Sequence, residues 1–321
     1  MCRIGIIGTG HLGKIHIKCL QNTPFTIVGA YDTDPETLTK VTDELGIKAY
    51  DSYKQLLSEV DAVDIVCSTK DHYDVATQAL EQNKHLFIEK PITATVDQAY
   101  DLQRLSEKYP AAKIQIGHVE RYNPAFRDLD KNNLRPQFIE IHRLAGYNDR
   151  GTDVSVILDL MIHDLDVLLS IVNADIEHIS AKGVSILSDT FDICNARIQF
   201  TNACVANVTA SRISLKEMRK MRIFQEDAYI NIDFLNKSNQ LIKLEDQPGD
   251  NQQYIKLNSK KGEKYLSIST TEGKEINAIE QELDDFYNTI VNNKPVSIGL
   301  QDGIRVLDLA CKIEKIANET S

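Results

Sequence analysis

The sequence has no C-x-x-C pair, no long basic run and no apolar stretch long enough to span a bilayer, and each absence removes a class of function. Its six cysteines, Cys2, Cys19, Cys67, Cys194, Cys204 and Cys311, lie mostly in apolar segments. That placement reads as reduced core thiols, and suggests neither a disulfide framework nor a metal site. The longest apolar runs, 154–161 and 167–172, are broken by Asp, Ser or His, well short of the ~20 residues a membrane helix needs. Lys and Arg number 36 against 47 Asp and Glu, a formal charge of -11, so the surface repels nucleic acid on average. Met1-Cys2-Arg3 leads straight into a glycine-punctuated apolar stretch without a small-residue cleavage site. This reads as a strand and not a signal peptide, and the expected compartment is cytoplasmic.

What is present is an ordinary globular balance, 42% hydrophobic and 26% charged over 321 residues, enough for two domains at ~150 residues each. Up to residue 117, short apolar runs at 4–7, 26–31, 62–67, 85–88 and 113–117 alternate with amphipathic stretches. Apolar strands separated by helices imply right-handed crossovers into a parallel sheet buried on both faces. The fold class expected for 1–118 is therefore α/β, a doubly wound Rossmann domain. From 137 onward, strand-like segments at 138–144, 176–187, 191–200, 203–213, 218–225 and 228–234 are separated by turns, with weaker ones at 241–244 and 254–257. With one long helix at 155–173, they imply an α+β domain over 119–299 on an open, mainly antiparallel sheet. Helical periodicity returns at 276–292 and 302–317, and the last helix, 300–318, is expected to pack back on the first domain. Apolar residues such as Ile193, Ala196, Ile198, Val205, Val208, Ile223, Ile230 and Ile232 exceed what one solvated sheet face holds. They predict a homodimer or homotetramer through that face.

Gly8-Thr9-Gly10-His11-Leu12-Gly13 follows the first strand and opens a helix. Glycines there allow a tight turn and close approach of a pyrophosphate, which the helix N-terminus attracts. Asp32 stands 24 residues past Gly8 at the end of the second strand. A carboxylate there accepts ribose hydroxyls and repels a 2'-phosphate, so NAD is preferred over NADP. The same Asp32-Thr33-Asp34-Pro35 segment also reads as a helix-capping turn, and the two roles coexist. Glu89-Lys90-Pro91 ends an apolar strand at the side where ligands bind open α/β sheets. Ser68, Thr69 and His72 enter the helix after the third strand, where they line the nicotinamide side or cap that helix.

On the 155–173 helix, 100° per residue places His163 at about 40° and Asp166 at about -20° from Asp159. These residues form a narrow polar stripe on an otherwise apolar helix. Such a stripe faces a cavity or is paired internally, and the helix alone leaves both readings open. No further His, Cys or acid cluster adjoins it, so no metal is expected.

Taken in order, these marks resemble the Gfo/Idh/MocA family of oxidoreductases (glucose-fructose oxidoreductase and inositol dehydrogenase) over essentially the whole chain. They are Gly8-Thr9-Gly10-His11-Leu12-Gly13, Asp32, His72, Glu89-Lys90-Pro91, Arg121 and the Asp159/His163 pair. The resemblance implies a catalytic group of Lys90, Asp159 and His163, with Arg121, His142 and Arg143 as substrate contacts. It implies NAD held by Gly8 to Gly13, Asp32, Ser68, Thr69, His72, Glu89 and Lys90. Residues 117–124 and 156–164 look most like the branch containing UDP-N-acetylglucosamine 3-dehydrogenases, which implies a nucleotide sugar oxidised at C3. Its diphosphate would meet Arg121, His142, Arg143 or Arg150. Thr69-Lys70 departs from the family's usual Thr-Pro. Competing expectations are a polyol or inositol dehydrogenase, and a non-catalytic NAD- or sugar-sensing regulator of the same fold.

Overall fold

The computed structural model describes residues 2–148, 154–247, 254–259, 262–273 and 276–320. The chain divides into two compact units, Met1–Val119 with Asn277–Asp308, and Glu120–Ile276 with Leu309–Ser321. No described helix is long and apolar enough to cross a membrane.

The first unit is built on five parallel strands, β1 (Arg3–Ile7), β2 (Thr26–Tyr31), β3 (Ala62–Ile65), β4 (His85–Glu89) and β5 (Ile114–Gly117), in the order β2-β1-β3-β4-β5. Helices α1 (His11–Leu20), α2 (Pro35–Leu45), α3 (Tyr53–Glu59), α4 (Thr69–Glu81) and α5 (Val96–Ser106) lie between them. The order reverses around β1, which pairs with β2 on one side and β3 on the other. The carboxyl ends of strands at such a reversal form the ligand crevice of a doubly wound sheet. Ile4, Ile6, Val63, Ile65, Phe87 and Ile88 are buried, as continuous apolar strands covered on both faces require.

The second unit holds a short helix α6 (Pro124–Arg127), strand β6 (Phe138–Leu144), and a π-helical turn Ile157–Met161 that runs into α7 (Ile162–Ile171). Strands β7 (Ile176–Val184), β8 (Ile193–Phe200), β9 (Val205–Ser211), β10 (Met218–Phe224), β11 (Ala228–Asp233), β12 (Ser238–Glu245), β13 (Tyr254–Ser259) and β14 (Gly262–Glu272) follow. They join β6 in one sheet, ordered β13-β14-β12-β11-β10-β6-β9-β8-β7. The pairs are antiparallel apart from β6 and β9. That pair is parallel because the chain leaves β6, passes through α7 and the β7-β8 hairpin, and returns beside β6 in the same direction. The sequence reading does not include β14, in whose mostly polar run the apolar alternation is confined to Leu266 and Ile268.

Three expectations change. Ala196, Ile198, Val208, Ile223, Ile230 and Ile232 are buried within the single chain, so they belong to its own core and not to a face awaiting a partner. The opposite face carries Phe138, Phe224 and Tyr229 in a row across β6, β10 and β11, Phe224 tilted against Phe138 at 5.8 Å and stacked on Tyr229 at 4.8 Å. The helix α8 (Ala278–Val291), expected in the second domain, belongs to the first unit. Its Phe286 packs 5.9 Å from Phe25 and 5.8 Å from Phe87. Of the last helix, α9 (Leu300–Glu319), only the part up to Asp308 groups with the first unit.

Candidate active site

The glycine loop between β1 and α1 borders a cavity of about 510 Å³ lined by Gly8, Gly10, His11, Leu12, Asp32 and Ser68 among others. Gly8 has φ +104°, and a Cβ there would meet the Cys67 backbone nitrogen at 2.5 Å. At Gly13 a Cβ would come within 2.0 Å of the Gly8 carbonyl oxygen, whereas at Gly10 it would meet nothing within 4 Å. Two of the glycines thus let the chain fold tightly, and the third leaves open the place where a ligand approaches. Gly10 begins α1 with no side-chain cap, so the first N–H groups of the helix remain for an anion.

Asp32 reaches back to this loop. Its Oδ2 accepts the Thr9 N–H at 2.6 Å and the Thr9 hydroxyl at 3.1 Å, while Oδ1 accepts the Asp34 N–H at 3.0 Å. The cavity lining also includes Asp71 and Asp74 and, among the described residues, no lysine or arginine. The residues present fit a dinucleotide whose pyrophosphate lies at the α1 N-terminus and whose ribose meets Asp32.

The other expected cofactor contacts, Thr9, Gly13, Thr69, His72, Glu89 and Lys90, do not line this cavity. His72 is buried, with Nδ1 2.9 Å from the Pro91 carbonyl oxygen and Nε2 3.1 Å from that of Cys67. A neutral imidazole carries one N–H, so one of these two carbonyls accepts it and the other only lies close. Burial lowers its pKa, and the carbonyls of Cys67 and Pro91 only partly offset that.

Glu89 is also buried. Its Oε1 lies 3.2 Å from His16 Nε2, and its Oε2 accepts the Lys90 N–H at 3.0 Å. His16 Nδ1 is in turn 3.0 Å from Asp64 Oδ2. Burial alone would lower the His16 pKa, but Asp64 and Glu89 outweigh it and raise it well above the ordinary histidine value. Burial would raise Glu89, yet His16 and Lys90 hold it low; Asp64 stays raised, chiefly by burial. Sequence reading missed His16 and Asp64. The available signal was an aspartate inside Ala62–Ile65, a strand buried at every position.

In the second unit, Asp159 lies in the π-helical turn, where the Ile162 N–H donates to the Ile157 carbonyl five residues back. A π turn takes more residues per turn than an α-helix. Each residue advances by less than 100°, so Asp159 and His163 stand closer to one line than regular spacing gives. Both are half-buried. Asp166 departs from the stripe reading, because both its oxygens accept from Arg121, at 2.6 to 3.0 Å.

Arg143 and His142 are corrections. Arg143 is buried, donating to both Asp164 oxygens at 2.9 Å with its Nη1 2.9 Å from Glu120. Its charge is met inside the domain by Asp164 and Glu120. Along β6, Ile139, Ile141 and Arg143 face the buried side, and Arg143 meets Asp164 of α7. Alternation turns His142 to the opposite face, away from the helix carrying His163. Arg150 lies outside the described residues.

Two family models match the chain. One, described as an oxidoreductase family with an NAD-binding Rossmann fold, matches residues 2–118; the other, the Gfo/Idh/MocA C-terminal domain, matches residues 116–231. UDP-N-acetylglucosamine 3-dehydrogenase from Acidithiobacillus ferrooxidans is 33% identical over 97% of this chain and 96% of its own length. A solved structure of that enzyme from the same organism superposes with a TM-score of 0.89 at 32% identity, covering 99% of this chain and 98% of the other. The scyllo-inositol 2-dehydrogenase of Bacillus subtilis is 28% identical over 66% of this chain and 68% of its own. With the glycine loop, the Asp32 tether and both halves of the chain matched, the protein belongs to the Gfo/Idh/MocA family of oxidoreductases and carries an NAD-binding Rossmann domain.

Proposed function

We propose that this protein oxidises a secondary hydroxyl of a nucleotide sugar, UDP-N-acetylglucosamine being the first substrate to test, and uses NAD in preference to NADP. What carries this reading is the end-to-end similarity to an enzyme of that name. When bound, NAD supplies the acceptor for the hydride leaving the sugar carbon. His163 takes the hydroxyl proton, since an imidazole titrates near neutral pH. Lys90 donates a hydrogen bond to the oxygen as negative charge develops on it. Asp159 orients the imidazole, and Arg121, fixed by Asp166, offers a partly exposed guanidinium to a polar group of the substrate. The cofactor preference rests on Asp32 and on a cavity whose described lining includes Asp32, Asp71 and Asp74 but no lysine or arginine.

The similarity to inositol dehydrogenases keeps a polyol as the second reading. The decisive experiment offers the protein and NAD to UDP-N-acetylglucosamine, free hexoses, myo-inositol and scyllo-inositol, and follows NADH. NADH with the UDP-sugar alone supports the proposal; NADH with inositol alone supports the second reading; no NADH with any of them favours a non-catalytic sensor. Lys90→Met and His163→Ala should each lower turnover by about 100- to 10,000-fold on the true substrate. The protein acts in the cytoplasm and pairs through the sheet face bearing Phe138, Phe224 and Tyr229, so light scattering should return more than one 36.2 kDa chain per particle.

A further inference from the structure

We propose that His16 and His72, buried on α1 and α4, are positioning residues that aim Lys90 by gripping the residues on either side of it. The proposal rests on the catalytic reading of Lys90. Before Lys90, Glu89 Oε1 lies 3.2 Å from His16 Nε2, an ion-pair contact outside hydrogen-bond geometry, and Oε2 accepts the Lys90 N–H. His16 is itself anchored on Asp64 of β3. After Lys90, His72 Nδ1 lies 2.9 Å from the Pro91 carbonyl oxygen, and its Nε2 lies 3.1 Å from that of Cys67, two residues beyond β3. The Lys90 N–H on one side and the Pro91 carbonyl on the other thus lie against groups anchored on β3 and on the residues that follow it.

Neighbouring backbone is shaped to permit this. A Cβ on Gly117 would stand 2.6 Å from Glu89 Oε1, so β5 keeps clear the space the carboxylate occupies. Burying two acids and a histidine beneath a sheet carries a desolvation penalty that a well-packed apolar trio avoids. What ionic and hydrogen-bonded contacts add over such packing is direction. A lysine tip is only as well aimed as its Cα, and a misplacement of ~1 Å can lower a rate about 100-fold.

The competing explanation is that the histidines merely hold α1 and α4 to the sheet. Two readouts on the full-length protein separate them. In His16→Gln and His72→Gln, kcat measured with UDP-N-acetylglucosamine or scyllo-inositol, whichever the unaltered protein oxidises, should fall about 10- to 100-fold. The KM for NAD should stay within about twofold. A merely structural role would move both constants, or neither. The second readout needs no substrate: amide hydrogen exchange at Lys90 should speed up about tenfold or more in His16→Gln, with β1 amides unchanged. If a histidine variant fails to fold, Gly117→Ala displaces the Glu89 carboxylate with both histidines intact and should give the same kcat loss and faster exchange. Unaltered exchange at Lys90 overturns the proposal, as does normal kcat in the histidine variants where Lys90→Met is impaired. Normal turnover in Lys90→Met would instead sink the catalytic reading of Lys90, and exchange would still decide whether the histidines fix this turn.

Discussion

In the first unit His16 stands between Asp64 and Glu89; in the second, Arg143 stands between Glu120 and Asp164. Both are buried cations bracketed by two carboxylates, and they differ in one chemical respect. Burial would lower the Arg143 pKa, but Asp164 and Glu120 raise it above a value already high, so the guanidinium is charged wherever the protein is folded. His16 is charged only while its neighbours keep its proton. As pH rises the brace of the second unit therefore keeps its cation, while that of the first loses its own and lies one residue from Lys90. A permanent ion suits a position that has only to be rigid, whereas a titratable one makes the placement of its neighbours conditional.

The severest way to break this comparison is Arg143→Met, which leaves two buried carboxylates facing each other. A loss of about 3–5 kcal/mol is expected, measured by urea unfolding with a probe in the second unit. A loss below about 1 kcal/mol would show that Glu120 and Asp164 settle without the cation.

Raising the pH should separate the two braces. The folded pKa of His16 lies above its unfolded value, so its stabilisation is complete below the ordinary ~6.5 and declines as pH rises from there through the folded value. Each pH unit between the two values is worth about 1.4 kcal/mol. Hydrogen exchange followed from pH 7 upward should show β3 and β4 losing protection, with β6 and α7 unaffected by this cause. Equal loss in both units, or loss in neither, would remove the distinction.

Asp32 gives the smallest effect and sharpens the contrast from the other side. It is an acid held by neutral donors, the Thr9 N–H and hydroxyl and the Asp34 N–H, with no cation bracketing it there. Its charge is left to meet a 2'-phosphate, so NAD should bind at least about tenfold tighter than NADP, or ~1.4 kcal/mol. Titration of both cofactors measures this, and Asp32→Ser should narrow the gap. Equal affinities in the unaltered protein would remove the role of Asp32.

What was legible in the sequence was whatever depends on local order. The glycine loop, Asp32 and the strands of the first unit follow from spacing and apolar runs, and β6 was read to its end residues. The partners of buried charges were not legible, since Arg143 meets Asp164 21 residues away and His16 meets Asp64 48 away, and periodicity is silent at that range. It was equally silent on where α8 packs, because an amphipathic pattern shows that a face is covered and not by what. His142 and Arg143 were read as neighbours with one task although strand alternation sets them on opposite faces, a rule the sequence did offer.

The π turn at Ile157–Met161 bears on how this helix tolerates change in length. Removing one residue from it would restore an ordinary α-helix and leave the rest of α7 in nearly the same orientation, because five residues of a π turn sweep about the angle that four sweep in an α-helix. If the lost residue were Leu160 or Met161, Asp159 and His163 would stand three residues apart and about 60° off one line although neither had been replaced. In this stretch a single-codon deletion reaches further than most substitutions, and a search for variants with altered activity has reason to include lengths as well as letters.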